Sequence, residues 1–336
     1  MKIIDFSVSR VEERGLRKIE FIGKVCTRKE QTIKSDTAER FVYNRIKDGH
    51  TAILEHEYVY FDVSKIDHDI LKDFCSLSPY IRFSYNCKYI GFSYRFFIDI
   101  IGDSRRTLDK INKSSYEEDI TDMFFTMLLL TSEFHSLMFN ESDIRANIDC
   151  VSDINRVYDE EILNNAPEIF NVTFKIGCDR GITHELVRHK EMSFMQESTR
   201  YCNYSKDQYD NSITVTQPEF DNFDCDMEWA DAIADAEAHY MQLLKYGSTA
   251  QLARSVLPHS THAFIYVSGT LDMWIGEKVS IDTPKLKTIE AKGFLPLRDS
   301  KFAHPQIIPI AKEIDRLLKR YYSFAIDKIQ SYGGKK

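Results

Sequence analysis

The chain has 336 residues, 43% of them apolar and 12% aromatic, and a formal net charge of −8. That composition supports a substantial buried core, and the acidic balance argues against a general nucleic-acid or anionic-membrane surface, where a basic face is expected. Seven scattered cysteines (Cys26, Cys75, Cys87, Cys150, Cys178, Cys202 and Cys225), never spaced as CxxC, indicate neither a disulfide framework nor a zinc ribbon. They fit a reducing cytoplasm. The opening MKIIDFSVSRVEER lacks the apolar core of a signal peptide, and the most apolar run, Met123 to Leu130, is far too short for a membrane span. A soluble cytoplasmic protein is expected, with no nucleic-acid or membrane partner.

In chain order, KIEFIGKVC (18–26) reads as a strand. DTAERFVYNRIKDG (36–49) has helical spacing, ends at Gly49, and carries Asp36 or Ser35 as its cap, with Glu39 in capping-box position. HEYVYFDV (56–63) alternates as an exposed-edge strand would. Residues 64–169 are rich in Asp, Asn, Ser and aromatics, with a helix expected over 117–139, and read as a mostly helical insertion within one catalytic domain spanning 1–336. IFNVTFKIGC (169–178) returns to strand, followed by a glycine-containing turn and a helix with Ile182, Leu186 and Val187 as apolar positions. Helices are expected over 226–247, stopping near Gly247, from Ala250 to Val256, limited by Pro258, and over 307–329. The fold class is α+β, a mixed sheet flanked by helices without the regular alternation of a doubly wound sheet.

The densest chemistry lies in HELVRHKEMSFMQESTRYCNYS. Arg188, His189 and Lys190 alone would suit a solvated helix end, where cations meet the negative end of the helix dipole. Gln196, Ser198, Thr199, Arg200 and Tyr201 follow at once and add neutral donors and a second guanidinium, a set suited to a phosphorylated ligand. His184-Glu185 with His189 is not a zinc-protease pair, because an i+5 spacing sets the histidines about 140° apart around a helix. His50 and the pair Glu55-His56 occupy a loop in GHTAILEHEYVYF. Arg254 and Arg298 are further guanidiniums in apolar surroundings. Neither GxGxxG nor GxxxxGK[ST] occurs, so side chains must hold any nucleotide, and Ser198 lacks the GxSxG elbow of a nucleophile.

Arg188-His189-Lys190 followed after seven residues by Ser198 resembles the RHR-x7-S signature of the flavin-dependent thymidylate synthases. The resemblance continues through IEFIGKVC, GHTAILEH, FKIGCDRGITHELVRH, LARSVLPHST and LRDSKFAHPQ, in the family's order over roughly two thirds of the chain. It implies the family's own α/β fold, a homotetramer with shared active sites, non-covalent FAD, and methylation of dUMP to dTMP with methylenetetrahydrofolate as one-carbon donor and NADPH as reductant. By the same resemblance Arg188, His189 and Lys190 serve the flavin together with His50, Gln196 and His304. Glu185, Arg188, Gln196, Glu197, Ser198, Thr199, Arg200 and Arg254 bind dUMP, with Ser198 and Arg200 on its phosphate side. Arg298 matches the arginine that favours the ionised uracil N3, the catalytic assignment.

The chain departs from the family at several points. Lys190 replaces an arginine, keeping the charge but losing the planar fork. Thr270, Asp272 and Trp274 stand where the family reads NxRxW, and the stretch from Gly276 to Gly293 is longer than usual. Ser93, Arg95 and Asp99 faintly resemble an NxRxxxD pattern. A hydroxymethylase, a dCMP-acting enzyme and an inactive nucleotide-binding homologue remain as alternatives on the same fold.

Overall fold

The structure is a computed structural model that describes residues 1–78, 80–102, 111, 114–139, 151–283 and 286–333. After two short strands, β1 (Lys2–Ile3) and β2 (Ser7–Arg10), the segment expected as a strand forms a helix, α1 (Gly15–Gly23). The alternation in KIEFI misleads because its charges are buried too. Leu16, Ile19 and Ile22 recur every three residues and pack inward, Lys18 Nζ lies 3.0 Å from Glu57, and Glu20 lies 2.7 Å from Lys24. The next helix, α2 (Ala38–Lys47), ends as expected at Gly49, which takes the left-handed φ of +76°. No capping box forms at its start: Thr37 is the cap residue, and its hydroxyl donates to Glu20 at 2.9 Å instead, tying α2 to α1.

The strand β3 (Tyr58–Asp62) is central and largely buried rather than an exposed edge. Its neighbours all come from the 64–169 region, whose elements run α3 (His68–Ser76), β4 (Ile81–Phe83), β5 (Tyr89–Ser93), α4 (Arg95–Ile101), α5 (Glu117–Leu130), α6 (Ser132–Met138), β6 (Asn155–Val157) and α7 (Asp159–Asn165). The antiparallel sheet β4-β5-β3-β6 therefore joins that region to the chain before it. The single helix expected over 117–139 breaks at buried Thr131, whose hydroxyl donates to the Met127 carbonyl at 2.9 Å and competes with the helical ladder.

The second sheet, β2-β7-β10-β8, uses β7 (Asn171–Asp179) and β10 (His262–Thr270) as a nine-residue antiparallel pair. Between them run α8 (Arg180–Leu186), β8 (Ser193–Gln196), β9 (Thr214–Val215), α9 (Phe223–Lys245) and the helical turn α10 (Ala250–Ala253). Asp179 caps α8 by accepting from Ile182 N at 2.9 Å, and Asn222 caps α9 by accepting from Asp224 N at 2.8 Å. Beyond β10 come α11 (Leu271–Ile275), the hairpin β11 (Glu277–Thr283) and β12 (Leu286–Lys292), α12 (Phe294–Arg298) and the long α13 (Ile307–Gly333). Ile307, Ile310, Ile314 and Leu318 of α13 pack on this sheet with Trp274 and Phe294, and the Trp274 indole donates to the Val172 carbonyl at 3.1 Å. Among the described residues no helix is long and apolar enough to cross a membrane.

Lys18 also donates to Asn171 Oδ1 at 3.2 Å, so one buried ammonium joins α1 to the entries of both β3 and β7. Replacing Lys18 by methionine strands the Glu57 carboxylate and is expected to cost about 3–5 kcal/mol of stability, much of it recovered in the Lys18→Met/Glu57→Gln double variant. Urea denaturation checks this; a single variant as stable as the parent would show that the pair does not fix α1.

Candidate functional site

The β7–β10–β8 register decides what meets at one end of the sheet. Asp179, the last residue of β7, pairs with His262, the first of β10, while Gln196, the last of β8, pairs with Ile265. Three chain segments therefore converge there: α8, the loop from Glu197 to Cys202, and the stretch leading into β10. Arg180 N donates to the carbonyls of His259 (2.9 Å) and Thr261 (3.1 Å), locking the first of these to the last. An open cleft of about 780 Å³ results, lined by Arg180, His184, Thr199, Gln251, Leu252 and Arg254.

The loop residues divide by direction. Arg200 is exposed and its Nε reaches Gln251 Oε1 at 3.4 Å across the cleft wall, and Arg254 is exposed beside it. The Ser198 hydroxyl accepts from Arg200 N at 3.3 Å, and Ser198 N donates to the Cys26 carbonyl at 3.2 Å. Gln196 Nε2 donates to Thr183 on α8 at 2.9 Å. Glu197 turns the opposite way: its side chain is fully buried and accepts from Arg28 Nε at 2.8 Å.

On α8 and beyond it lies a second cleft of about 950 Å³, lined by Glu185, Pro296, Leu297, Arg298, Phe302 and His304. The Arg298 guanidinium is fully engaged there. Its Nη1 donates to Glu185 Oε2 (2.8 Å), its Nη2 to the Glu185 carbonyl (2.7 Å) and its Nε to His189 Nε2 (2.9 Å). Burial, and then the adjacent Arg298 charge, pushes the His189 imidazole down to about 4, so it is neutral at physiological pH. Burial also lowers Arg298, against the opposing pull of Glu185.

Arg188 and Lys190 are exposed and make no side-chain hydrogen bond among the described residues. His50 likewise stands free at the head of the 51–56 segment, which packs on β8 and β10. Arg95 donates to Asp99 at 2.8 Å and to the Thr51 hydroxyl, so the 64–169 region reaches the residue next to His50. Of the Glu55-His56 pair, Glu55 accepts from Tyr80 at 3.2 Å, whereas His56 is wholly buried, 2.7 Å from Ser268, and pushed down to about 3 chiefly by burial. Asp272 is turned onto its own neighbourhood, accepting from the Thr270 hydroxyl and from Met273 N. Arg180 and Gln251 were not singled out from sequence, and His184 was weighed there only as a zinc ligand, which its spacing excludes. The signal for Arg180 was there: a cation directly after an apolar strand, eight residues before Arg188 in DRGITHELVR.

His189 offers a direct check of the second cleft. Replacing Arg298 by methionine removes the smaller of two causes, so the imidazole is expected to rise from about 4 yet stay below its ordinary 6.5, as read by NMR titration. Because its folded value is depressed, the stability His189 contributes is complete above pH 6.5 and is lost as pH falls towards 4. An unchanged titration in the variant would contradict the Arg298 contact.

The model of the family described as Thymidylate synthase complementing protein, Thy1, matches residues 141–276, which include β7, α8, β8 and β10. The flavin-dependent thymidylate synthase of Pyrococcus abyssi is 28% identical over 132 residues, 39% of this chain and 52% of that protein. That of Geobacter sulfurreducens is 30% identical over 182 residues, 53% of this chain and 66% of that protein. The match thus spans about half to two thirds of these relatives. Among solved structures, the UMP/dUMP methylase PolB from Streptomyces cacaoi bound with 5-Br dUMP superposes loosely, with a TM-score of 0.40 and 12% identity over 98% of this chain and 97% of that one. The signature run Arg188-His189-Lys190-x7-Ser198 and the family match on the elements that build the first cleft lead to one conclusion: the chain belongs to the Thy1, or flavin-dependent thymidylate synthase, family.

Proposed function

We propose that the protein methylates dUMP to dTMP, taking the one-carbon unit from methylenetetrahydrofolate and reducing equivalents from NADPH through a bound FAD. The observation that carries this reading is the first cleft, lined by Arg180, Arg254, Thr199 and Gln251, with Arg200 hydrogen-bonded to Gln251 at its wall, in an otherwise acidic protein. Guanidiniums around neutral donors suit a phosphate monoester, and no glycine-rich loop is needed.

Arg298 then serves the pyrimidine. A fixed guanidinium in a half-buried cleft stabilises negative charge at the uracil N3, and Glu185, which now occupies its fork, is the group a ligand must displace or share. His189, held neutral, accepts from Arg298 and so keeps the guanidinium aimed. The cations left exposed at Arg188 and Lys190, with His50 and His304, suit the diphosphate and ring edges of a flavin, and Gln196 at the end of β8 joins that set by the family resemblance. Asp272, closed onto Thr270, offers that ligand no cation. Bound flavin supplies the hydride that completes the methyl group; the chain's own residues bind, orient and neutralise charge. Assembly as a homotetramer with shared sites is part of this reading, following the family resemblance.

Purified protein is expected to be yellow and to convert dUMP, with FAD, NADPH and methylenetetrahydrofolate, into a product heavier by one CH2. A gain of CH2O, or turnover of dCMP in place of dUMP, would move the activity to a hydroxymethylase or a cytidylate enzyme, and colourless protein without product would refute the reading. Arg254→Ala should raise KM for dUMP by about tenfold to a hundredfold, the scale of one charge-assisted hydrogen bond, and steady-state kinetics decide it.

A further inference from the structure

The loop proposed to bind phosphate contains a carboxylate. Glu197 lies between Gln196 and Ser198, where an outward-facing side chain would repel an incoming anion. It does not face outward. Its side chain is 0% exposed, one oxygen accepts from Arg28 Nε at 2.8 Å and from Phe264 N at 3.4 Å, and the other accepts from the Tyr204 hydroxyl at 3.3 Å. Among the described residues Arg28 is the cation paired with it; Arg180 reaches only the Glu197 carbonyl, at 3.4 Å.

Arg28 comes from a different part of the chain and is itself held in an uncommon backbone state. Its φ of 51° and ψ of 48° are left-handed, a region few non-glycine residues enter. The guanidinium lies over the rings of Tyr209 and Phe264, at 5.4 and 5.6 Å from their centroids. Its neighbours hold the same loop and the turn beyond it: the Cys26 carbonyl accepts from Ser198 N at 3.2 Å and from the Cys202 thiol at 3.7 Å, and the Thr27 carbonyl accepts from Tyr209 at 3.4 Å. Stability alone gives little reason for this pair, because a buried ion pair is often no better than an apolar one and Arg28 Nη2 is left buried without a partner.

We infer that Arg28 is a positioning residue for the anion-binding loop: it draws Glu197 inward and neutralises it, so that the loop from Gln196 to Arg200 presents only donors and cations to a phosphate monoester. This rests on the nucleotide reading of the first cleft. Without Arg28, a buried carboxylate lacks its counter-charge and turns towards water, which places negative charge in the loop.

The test measures binding of dUMP and of deoxyuridine, which lacks the phosphate, to the full chain and to R28M, E197Q and R28M/E197Q, with thermal melts as a folding control. R28M should lose dUMP affinity by on the order of tenfold or more, the scale of one charge-assisted contact, with deoxyuridine affinity unchanged. The double variant, which has no carboxylate to expose, should recover the dUMP affinity of E197Q alone. If R28M fails to fold, R28K, which keeps the charge, should bind dUMP as the parent does, and the comparison of E197Q with R28M/E197Q still decides the coupling. Equal loss for both ligands, dUMP binding untouched in R28M, or a double variant weaker than E197Q overturns the inference while the nucleotide reading stands. Parent protein that binds no dUMP overturns that reading, and the inference with it.

Discussion

The antiparallel pairing of β7 with β10 is the constraint on which the rest of the structure depends. Both strands are buried almost throughout, so a slip of one residue would exchange every side chain between two packed faces, and the register from His262↔Asp179 to Thr270↔Asn171 is strongly specified. One end of the pair fixes Arg180, the start of α8 and the approach to β10. β8, added to β10, delivers Gln196 and the loop after it to the same end. The cleft is thus a product of sheet register, and the loop residues inherit their placement from a rigid frame.

Buried charge is the second organising theme. Lys18 with Glu57, Glu20 with Lys24 and Thr37, and Glu197 with Arg28 all sit where apolar residues would be the simpler choice. The first links α1 to the start of β3, the second links α1 to α2, and the third links the turn after α1 to the loop beyond β8. Such pairs add little net stability, but losing one partner is costly, so they select one arrangement of these segments over alternatives.

That theme also explains what was legible in the sequence. β7, α9 and α13 were readable because β7 is a nearly continuous apolar run, α9 is rich in alanine and stops near Gly247, and α13 carries isoleucines and leucines at helical spacing; the start of α9 at Phe223, capped by Asn222, was placed three residues late. α1 was not, because Lys18 and Glu20 look like the solvent face of a strand and are instead neutralised in the interior. β3 looked like an edge because its partners, β5 and β6, lie up to about a hundred residues away, beyond any local pattern. The cluster from Glu185 to Arg200 stood out through its density of cations and donors, yet the division of its members between two clefts, and the inward turn of Glu197, depend on contacts with Arg28, Gln251 and Arg298 that no spacing reveals.

The central claim is that the end of the β7–β10 pair receives the phosphate of a pyrimidine nucleotide. A crystal structure of the protein with dUMP tests it most directly. The account predicts the phosphate within hydrogen-bond distance of Arg254 or Arg200 and of the Ser198 or Thr199 hydroxyl; a nucleotide whose phosphate lies away from that cleft would contradict it.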